Sequence, residues 1–216
     1  MAASTASVVS GSPKYGPIEF QRDTGVSRET LERLETYAQL LQRWNRHINL
    51  IGRATISDLW HRHILDSAQL APLIPPEAKN LADIGAGAGL PGLILSILNS
   101  PATIALIEQD QRKCAFLREA IRITESSAIL HESRVEDIKL PAQDVVLARA
   151  CAPLDRLLEM AEKLISIHTM CIFSKGLRVE QELTEARMRW NMRVRQAPSR
   201  TDPAGRILVL TEVARA

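Results

Sequence analysis

In LADIGAGAGLPGLILSIL, residues 81–98, four glycines lie within eight positions between two apolar runs. These glycines are Gly85, Gly87, Gly89 and Gly92. An apolar run that ends in a glycine cluster, followed by a proline preset for a first helical turn, predicts a strand, a tight loop and a helix. A loop without side chains lets a ligand approach the backbone, so we expect a ligand against this turn.

Two cofactor classes use a strand, glycine loop and helix of this kind. The pattern Gly-x-Gly-x-x-Gly, from Gly87 to Gly92, is typical of dinucleotide-binding proteins. The pattern Asp83-x-Gly85-x-Gly87-x-Gly89 favours S-adenosylmethionine instead. Each pattern is short, and a tight turn without any ligand is a third interpretation. The loop alone therefore leaves the ligand open.

Composition indicates a soluble chain with one main core. The 216 residues are 45% hydrophobic and 24% charged, which suits one domain, whereas a dehydrogenase with a separate substrate domain would be cramped. No apolar run reaches the roughly 18 residues that a membrane helix needs. The first residues, MAASTASVVSGSPKYGP, lack a basic start before an apolar core. We therefore expect no secretory signal, and a disordered tail over residues 1–20.

The three cysteines are odd in number and widely spaced, at Cys114, Cys151 and Cys171. They suggest neither a disulfide framework nor a zinc site. We therefore expect a cytoplasmic protein with no metal and no membrane partner.

Two amphipathic helices are predicted ahead of the glycine loop. Apolar residues recur at three- and four-residue steps from Ser27, a good helix cap, to beyond Trp44. A second helix is predicted from near Thr55 to Leu70, where prolines follow. We expect residues 21–78 to form an N-terminal helical extension.

From Asn80 onward, β-rich runs alternate with helical ones. The predicted strands are LADIG, ATIALIE, SAILHES, DVVLARA, HTMCIFSKG and GRILVLTEV. Helices are predicted up to about Leu98 and over residues 110–124, 154–165 and 179–190. Strands separated by helices imply a mostly parallel sheet with helices on both faces. We therefore predict an α/β domain over residues 79–216.

Ligands of such sheets lie beyond the carboxyl ends of the strands. Glu108, at the end of the second strand, can accept hydrogen bonds from both ribose hydroxyls of either cofactor class. After the third strand, Val135 could cover an adenine face, with Glu136 and Asp137 near its polar edge. An acidic corner suits S-adenosylmethionine better than a pyrophosphate, which carboxylates repel. A short acidic helix start is the alternative interpretation.

The fourth and fifth strands end in Arg149, Cys151 and Lys175, on the expected substrate side. The Asp/Asn-Pro-Pro-aromatic loop that is usual in amino-group methyltransferases acting on adenine or cytosine is absent there, which disfavours that class. Cys151 could be the nucleophile of a pyrimidine carbon-5 methyltransferase. We prefer a partly buried small hydrophobe, because Ala150 replaces the usual preceding proline.

Basic residues are concentrated in two stretches although the net charge is only +2. Residues 43–63 contain four arginines and three histidines against Asp58, and residues 187–206 contain six arginines against Asp202. Either stretch could bind phosphate or form a solvated face. We predict that the two jointly form a rim that faces RNA around the cofactor cleft.

Five motifs in a fixed order carry a family resemblance. They are WNRHINLIGR, HRHILDS, DIGAGAGLPG, SRVED and ARACAPL. Over roughly residues 27–213, the chain resembles the bacterial ribosomal RNA small subunit methyltransferase G family, also called glucose-inhibited division protein B. The resemblance implies a Rossmann-like, seven-stranded class I S-adenosylmethionine-dependent methyltransferase fold. It also implies methyl transfer to N7 of one guanine in the 530 loop of 16S rRNA, the RNA of the 30S subunit.

The resemblance places the cofactor contacts on Gly85, Leu90, Val135, Glu136 and Arg149. The loop and the second strand end add four expected cofactor-binding residues, Asp83, Gly87, Gly89 and Glu108. Lys175 and Arg149 are candidates for holding guanine O6, and either could instead form a structural ion pair. The arginines that we expect to bind RNA are Arg46, Arg53, Arg62, Arg193, Arg195 and Arg206.

Guanine N7 is an unprotonated lone pair, so its attack on a sulfonium methyl requires no general base. We therefore expect no catalytic dyad, and interpret His61 and His63 as core or surface residues. Asp66 is expected to order the helix junction near the site. We expect a monomer. Two alternative functions are a dinucleotide-binding oxidoreductase and a non-catalytic protein that binds rRNA during assembly.

Overall fold

The computed structural model describes residues 15–98, 100–149 and 151–216, and its first two α-helices precede the sheet. They are α1, Pro17–Thr24, and α2, Arg28–Trp44. The Ser27 side chain accepts a hydrogen bond from the Thr30 backbone N–H at 3.1 Å, so it caps α2 as predicted. The amphipathic helix after Ser27 is confirmed.

The predicted disordered tail is wrong for residues 17–20, which form the first half of α1. Pro17 occupies the first helical turn, and the Glu19 carboxylate accepts from the Gly16 backbone N–H at 2.9 Å. Phe20 is completely buried, and its ring lies 5.5 Å from that of Trp60. This distant packing partner orders a segment whose small and polar neighbours suggest disorder. Residues 1–14 lie outside the described part of the chain.

The second predicted helix is helical but is not one α-helix. A 3-10 helix over Arg53–Asp58 is followed by a π-helix over Trp60–Leu65 and by the short α3, Asp66–Ala68. The Arg62 carbonyl, within the wide π turn, accepts from the Arg149 guanidinium at 3.1 Å. Tertiary contacts of this kind are absent from the local sequence pattern, which therefore predicts the helix but not its geometry.

The sheet has seven strands within the described residues, in the order β3-β2-β1-β4-β5-β7-β6. The strands are β1 Asn80–Ile84, β2 Thr103–Glu108, β3 Ile129–Glu132, β4 Val145–Arg149, β5 Met170–Lys175, β6 Trp190–Pro198 and β7 Arg206–Arg215. The first five are parallel, whereas β7 is antiparallel to both β5 and β6. The remaining helices are α4 Gly92–Ile97, α5 Gln111–Ile123, α6 Leu154–Ala161 and α7 Val179–Ala186. The predicted mostly parallel seven-stranded fold is confirmed.

The helix predicted over residues 179–190 is too long, because α7 ends at Ala186 and β6 begins at Trp190. Met192 and Val194 pack against the core, while Arg193 and Arg195, which alternate with them, are exposed. This alternation in steps of two is the sequence signal of a strand, and it was available in residues 190–195.

Buried side chains cover both faces of the sheet. On one face, Phe20, Tyr37 and Phe116 belong to a core that joins α1 and α2 to β1, α4 and α5. On the other face, Leu157 and Phe173 belong to a core beneath α6 and α7. The helices before the sheet thus share a core with it, and the division into an extension and a domain stays a prediction. No helix in the described ranges is long and apolar enough to span a membrane.

Candidate functional site

The loop after β1 needs glycine for two physical reasons. Gly85, Gly87 and Gly89 have φ values of +67°, +57° and +80°, which side chains disfavour. A Cβ atom on Gly85 would also lie 2.5 Å from the Cys151 sulfur, inside van der Waals contact. The loop backbone and the segment after β4 therefore approach each other as closely as a missing side chain permits.

Three hydrogen bonds from different elements fix this loop. The Gly87 N–H donates to Glu108 Oε2 at 2.9 Å, at the end of β2. The Tyr37 hydroxyl, buried in α2, donates to the Ala88 carbonyl at 2.8 Å. The Gly92 N–H donates to Asp83 Oδ2 at 2.8 Å. The loop is thus rigid before any ligand binds, and the helical extension contributes to that rigidity.

Asp83 lies behind the loop and is completely buried. Desolvation raises the pKa of its carboxyl to about 7, although the Gly92 N–H and Arg149 oppose this shift. Its Oδ1 atom has no hydrogen-bond partner within the described residues. Asp83 and Gly89 do not line the cavity in front of the loop, so the structure gives them a role in loop geometry. Their predicted contact with a cofactor is not supported by this placement.

The first cavity, of about 480 Å³, opens in front of the loop. Its walls include seven of the predicted cofactor-binding residues: Gly85, Gly87, Leu90, Glu108, Val135, Glu136 and Arg149. Other lining residues were not predicted, among them Leu50, Lys113, Ser133, Arg134, Arg156 and Met160. The carboxyl ends of the parallel strands meet at this edge, which explains why residues from distant stretches converge here.

The acidic side of the first cavity is held in place by backbone and cationic groups. Glu108 Oε1 accepts from the backbone N–H groups of Gln109 and Asp110 at 2.9 and 2.8 Å. Glu136 Oε1 lies 2.9 Å from an Arg156 nitrogen, while Val135 beside it is buried. The predicted acidic corner is present in part: Val135 and Glu136 line the first cavity, whereas Asp137 is exposed and does not line it.

Arg149 is both a lining residue and a member of an ion pair. Its Nη1 lies 3.0 Å from Asp66 Oδ2, and its Nη2 donates to His63 Nδ1 at 2.8 Å. Desolvation, followed by the nearby Arg149 charge, lowers the pKa of His63 to about 4. Neutral His63 then donates from Nε2 to the Thr55 hydroxyl at 2.7 Å. His63 is a buried structural residue, and Asp66 orders the helix junction as expected.

The second cavity, of about 470 Å³, adjoins the first, and Arg149 and Cys151 line both. Lys175 lines it too, but its Nζ lies 2.7 Å from the Ala152 carbonyl and 2.7 Å from Glu182 Oε2. Desolvation lowers the pKa of Lys175, although Glu182 opposes this shift. Lys175 therefore forms an ion pair, and its predicted contact with guanine O6 stays a prediction, because an ammonium group has a third N–H donor.

The predicted RNA-binding arginines fall into three places. Arg62 and Arg206 line the second cavity. Arg46 and Arg53 line a third cavity of about 370 Å³ together with Lys113, which also borders the first cavity. The remaining pair is exposed on β6 and lines none of the three cavities; it consists of Arg193, 2.9 Å from Glu212 Oε2, and Arg195.

Comparisons with known proteins agree with this geometry. A family model described as rRNA small subunit methyltransferase G matches residues 30–202. Ribosomal RNA small subunit methyltransferase G of Rhodospirillum centenum is 48% identical over 202 residues, which cover 94% of this chain and 93% of the relative. The relative of the same name from Paramagnetospirillum magneticum is 50% identical over 200 residues, covering 93% and 97%.

Among solved structures, M. jannaschii TYW2 in complex with AdoMet has a TM-score of 0.52 and 15% sequence identity. The similarity covers 71% of this chain and 76% of that one. At this level of identity the likeness concerns the fold alone.

Proposed function

The chain belongs to the rRNA small subunit methyltransferase G family, and from this premise we propose that it methylates N7 of one guanine in the 530 loop of 16S rRNA. One observation carries the proposal: two cavities of similar size adjoin and share Arg149 and Cys151 as lining residues. A methyl donor in the first cavity and a base in the second would meet at that shared boundary. A cytoplasmic monomer acting on the 30S subunit or its RNA is part of the same proposal.

The first cavity fits S-adenosylmethionine. A Cβ atom on Gly85 would meet the Cys151 sulfur at 2.5 Å, so this glycine lets the loop and Cys151 lie together at the wall of the cavity. Gly85, Gly87 and Leu90 would hold the amino acid portion, Glu108 the ribose, and Val135 with Glu136 the adenine. When bound, the cofactor supplies an electrophilic methyl group on a sulfonium. A pyrophosphate near the carboxylate of Glu136 would be repelled, which disfavours the dinucleotide alternative.

The protein would act by alignment rather than by proton transfer. Guanine N7 already carries its lone pair, so no proton has to be removed before attack. Good orientation of reacting atoms can lower a barrier by about 7 to 11 kcal/mol. Cys151, interpreted above as partly buried, is exposed where the two cavities meet. Desolvation, followed by the nearby Asp83 and Glu108 charges, nevertheless raises the pKa of its thiol and favours the protonated form. This disfavours the thiolate that pyrimidine carbon-5 chemistry requires.

The proposed RNA surface surrounds the cavities. Arg46, Arg53 and Lys113 line the third cavity, and in the part of the chain that the structure describes they form no ion pair. Cations that lack carboxylate partners favour binding of phosphates. Arg62 and Arg206 extend this charge along the second cavity. No cluster of three metal-ligating side chains occurs in the described ranges, and the proposed chemistry uses none.

The deciding experiment is methyl transfer from labelled S-adenosylmethionine to purified 30S subunits and to protein-free 16S rRNA, followed by mapping of the modified base and atom. We expect label on one guanine in the 530 loop, and none when 7-deazaguanine, which lacks the N7 lone pair, replaces it. Label at another base or atom would overturn the proposed substrate. Tight binding of NAD in place of S-adenosylmethionine would favour the oxidoreductase alternative. RNA binding without any methyl transfer would favour the non-catalytic assembly protein.

A further inference from the structure

The second cavity contains one carboxylate whose two oxygens differ in their surroundings. Glu182, in the first turn of α7, lines this cavity. Its Oε2 accepts from the Leu154 backbone N–H at 2.9 Å and lies 2.7 Å from Lys175 Nζ. Its Oε1 has no hydrogen-bond partner among the described residues, yet it is not sealed from solvent. One oxygen is thus anchored while the other remains available to a ligand.

The anchoring fixes the direction of the free oxygen. Lys175, at the end of β5, is itself held by the Ala152 carbonyl, and Leu154 begins α6. The Glu182 carboxylate on α7 is therefore constrained by both β5 and α6. The side chain of Glu182 is only 16% exposed, so a ligand that enters the cavity and displaces water from Oε1 has to supply a hydrogen-bond donor in its place. A second polar atom of the same cavity, the buried Ser174 hydroxyl, also has no partner within the described residues. Both atoms indicate a ligand that supplies hydrogen bonds.

Guanine has donors in the right place for such an acceptor. Its 2-amino group is a donor that adenine and hypoxanthine lack, and it lies on the opposite side of the base from N7. A base that presents N7 at the boundary formed by Arg149 and Cys151 turns its Watson–Crick edge into the second cavity. Enzymes that modify a single base commonly recognise that edge by hydrogen bonds.

We propose that Glu182 Oε1 determines specificity by accepting a hydrogen bond from the 2-amino group of the target guanine. This inference rests on the proposed function. A hydrogen bond to a charged group changes an equilibrium or rate by about 10- to 100-fold. The competing explanation is that Glu182 only neutralises Lys175, in which case its loss would affect all bases equally.

A double-mutant cycle between protein and base separates these explanations. The substrate, in the form that the mapping experiment identifies, carries either guanine or hypoxanthine at the target position. The proteins are the unmodified enzyme, Glu182→Gln, and Glu185→Gln as a control on an exposed position of the same helix. In Glu182→Gln the amide oxygen can keep the bonds from Leu154 and Lys175, which turns an NH₂ donor towards the cavity.

We expect the unmodified enzyme and Glu185→Gln to transfer methyl to hypoxanthine about 10- to 100-fold more slowly than to guanine in single turnovers. Glu182→Gln should react slowly with guanine and lose no further rate with hypoxanthine, while it binds S-adenosylmethionine normally. If hypoxanthine slowed Glu182→Gln as much as it slows the unmodified enzyme, Glu182 would only neutralise Lys175 and would not contact the base. Should the variant fail to fold, the absence of any penalty in the unmodified enzyme would still overturn the inference. No transfer to guanine at all would contradict the proposed function instead.

Discussion

Arg149 Nη1 lies 3.0 Å from Asp66 Oδ2, and this ion pair joins the end of β4 to the start of α3. The two residues are 83 positions apart in the chain. Each side chain is 15% exposed, so water screens the attraction only in part. Arg149 also lines both the first and the second cavity. Through Asp66, the helical extension therefore fixes a positive charge at the boundary where methyl transfer is proposed.

Replacing Asp66 by Asn should destabilise the protein by up to about 3 kcal/mol, because it leaves the mostly buried Arg149 charge unpaired. Urea denaturation at pH 7 measures the change. Glu132→Gln is the matched control: its pair with Arg118 spans 2.8 Å, but the two side chains are 58% and 43% exposed for Arg118 and Glu132. That change should cost at most about 1 kcal/mol. Equal losses in the two variants would contradict a special contribution from the Arg149–Asp66 pair.

His63 should make stability depend on pH on the acidic side of neutrality. Its pKa is lowered from 6.5 to about 4 in the folded chain, so the unfolded chain takes up a proton first. Stability present above pH 6.5 is therefore lost as the pH falls towards 4, by roughly 2 kcal/mol between pH 7 and pH 5. His63→Gln should lack this loss when unfolding is measured at both pH values. His168→Gln, at an exposed position, should retain it.

Asp83 should make the folded protein less stable as the pH rises, which is the opposite of the effect of His63. Burial raises its pKa from 3.8 to about 7, so the folded chain keeps a proton that the unfolded chain releases. The resulting stability is complete below pH 3.8 and is lost as the pH rises through 7, by about 2 to 3 kcal/mol between pH 5 and pH 8. Asp83→Asn should remove this slope, and Asp137→Asn, at an exposed position, should not. A slope unchanged in Asp83→Asn would mean that Asp83 is ionised throughout.

Gly85→Ala should abolish S-adenosylmethionine binding in calorimetry. Two costs combine at this position, a positive φ and a Cβ contact of 2.5 Å with the Cys151 sulfur. Gly25→Ala isolates the first cost, because Gly25 has φ +69° and no atom within 4 Å of its Cβ position. That variant should lose about 1 kcal/mol of stability and keep its cofactor affinity. Adding Cys151→Ala to Gly85→Ala should restore part of the binding; no recovery would show that the clash is not what blocks the ligand.

Arg46→Gln with Arg53→Gln should weaken RNA binding and flatten its salt dependence by about 1.4 in logarithmic slope, if each arginine neutralises one phosphate of a single strand. Affinity for S-adenosylmethionine should not change. The predicted contribution of Arg193 and Arg195 is tested by the corresponding double variant. We expect a smaller effect there, because Arg193 already pairs with Glu212. An unchanged slope in the first double variant would show that the third cavity does not bind phosphates.

Much of the candidate site could be predicted because its signals are local. A glycine cluster after an apolar run indicates a strand, loop and helix, and residues that follow parallel strands must meet at one edge of the sheet. Gly85, Glu108 and Val135 were found in this way, and all three line the first cavity. The strand at Trp190–Pro198 also has a local signal, because apolar and polar residues alternate along its first half.

Side-chain partners could not be predicted by the same means. Asp83 looked like a cofactor contact because it begins the glycine pattern, but the fold buries it behind the loop. Lys175 is a candidate donor by its position after a strand, but Glu182 and the Ala152 carbonyl occupy two of its three N–H groups. Desolvation and pairing decide these outcomes, and both depend on atoms that are distant in the chain.

The amino-acid sequence alone was therefore sufficient for the glycine loop, for six of the seven strands and for seven residues that line the first cavity, since periodicity and strand ends are properties of short segments. Only the tertiary structure determined which side chains of those segments contact one another. Tyr37 reaches the Ala88 carbonyl across 51 positions, and Leu154 reaches Glu182 across 28. Such hydrogen bonds exist only after the helices have packed on the sheet, because packing sets which distant polar groups are buried together and must satisfy one another.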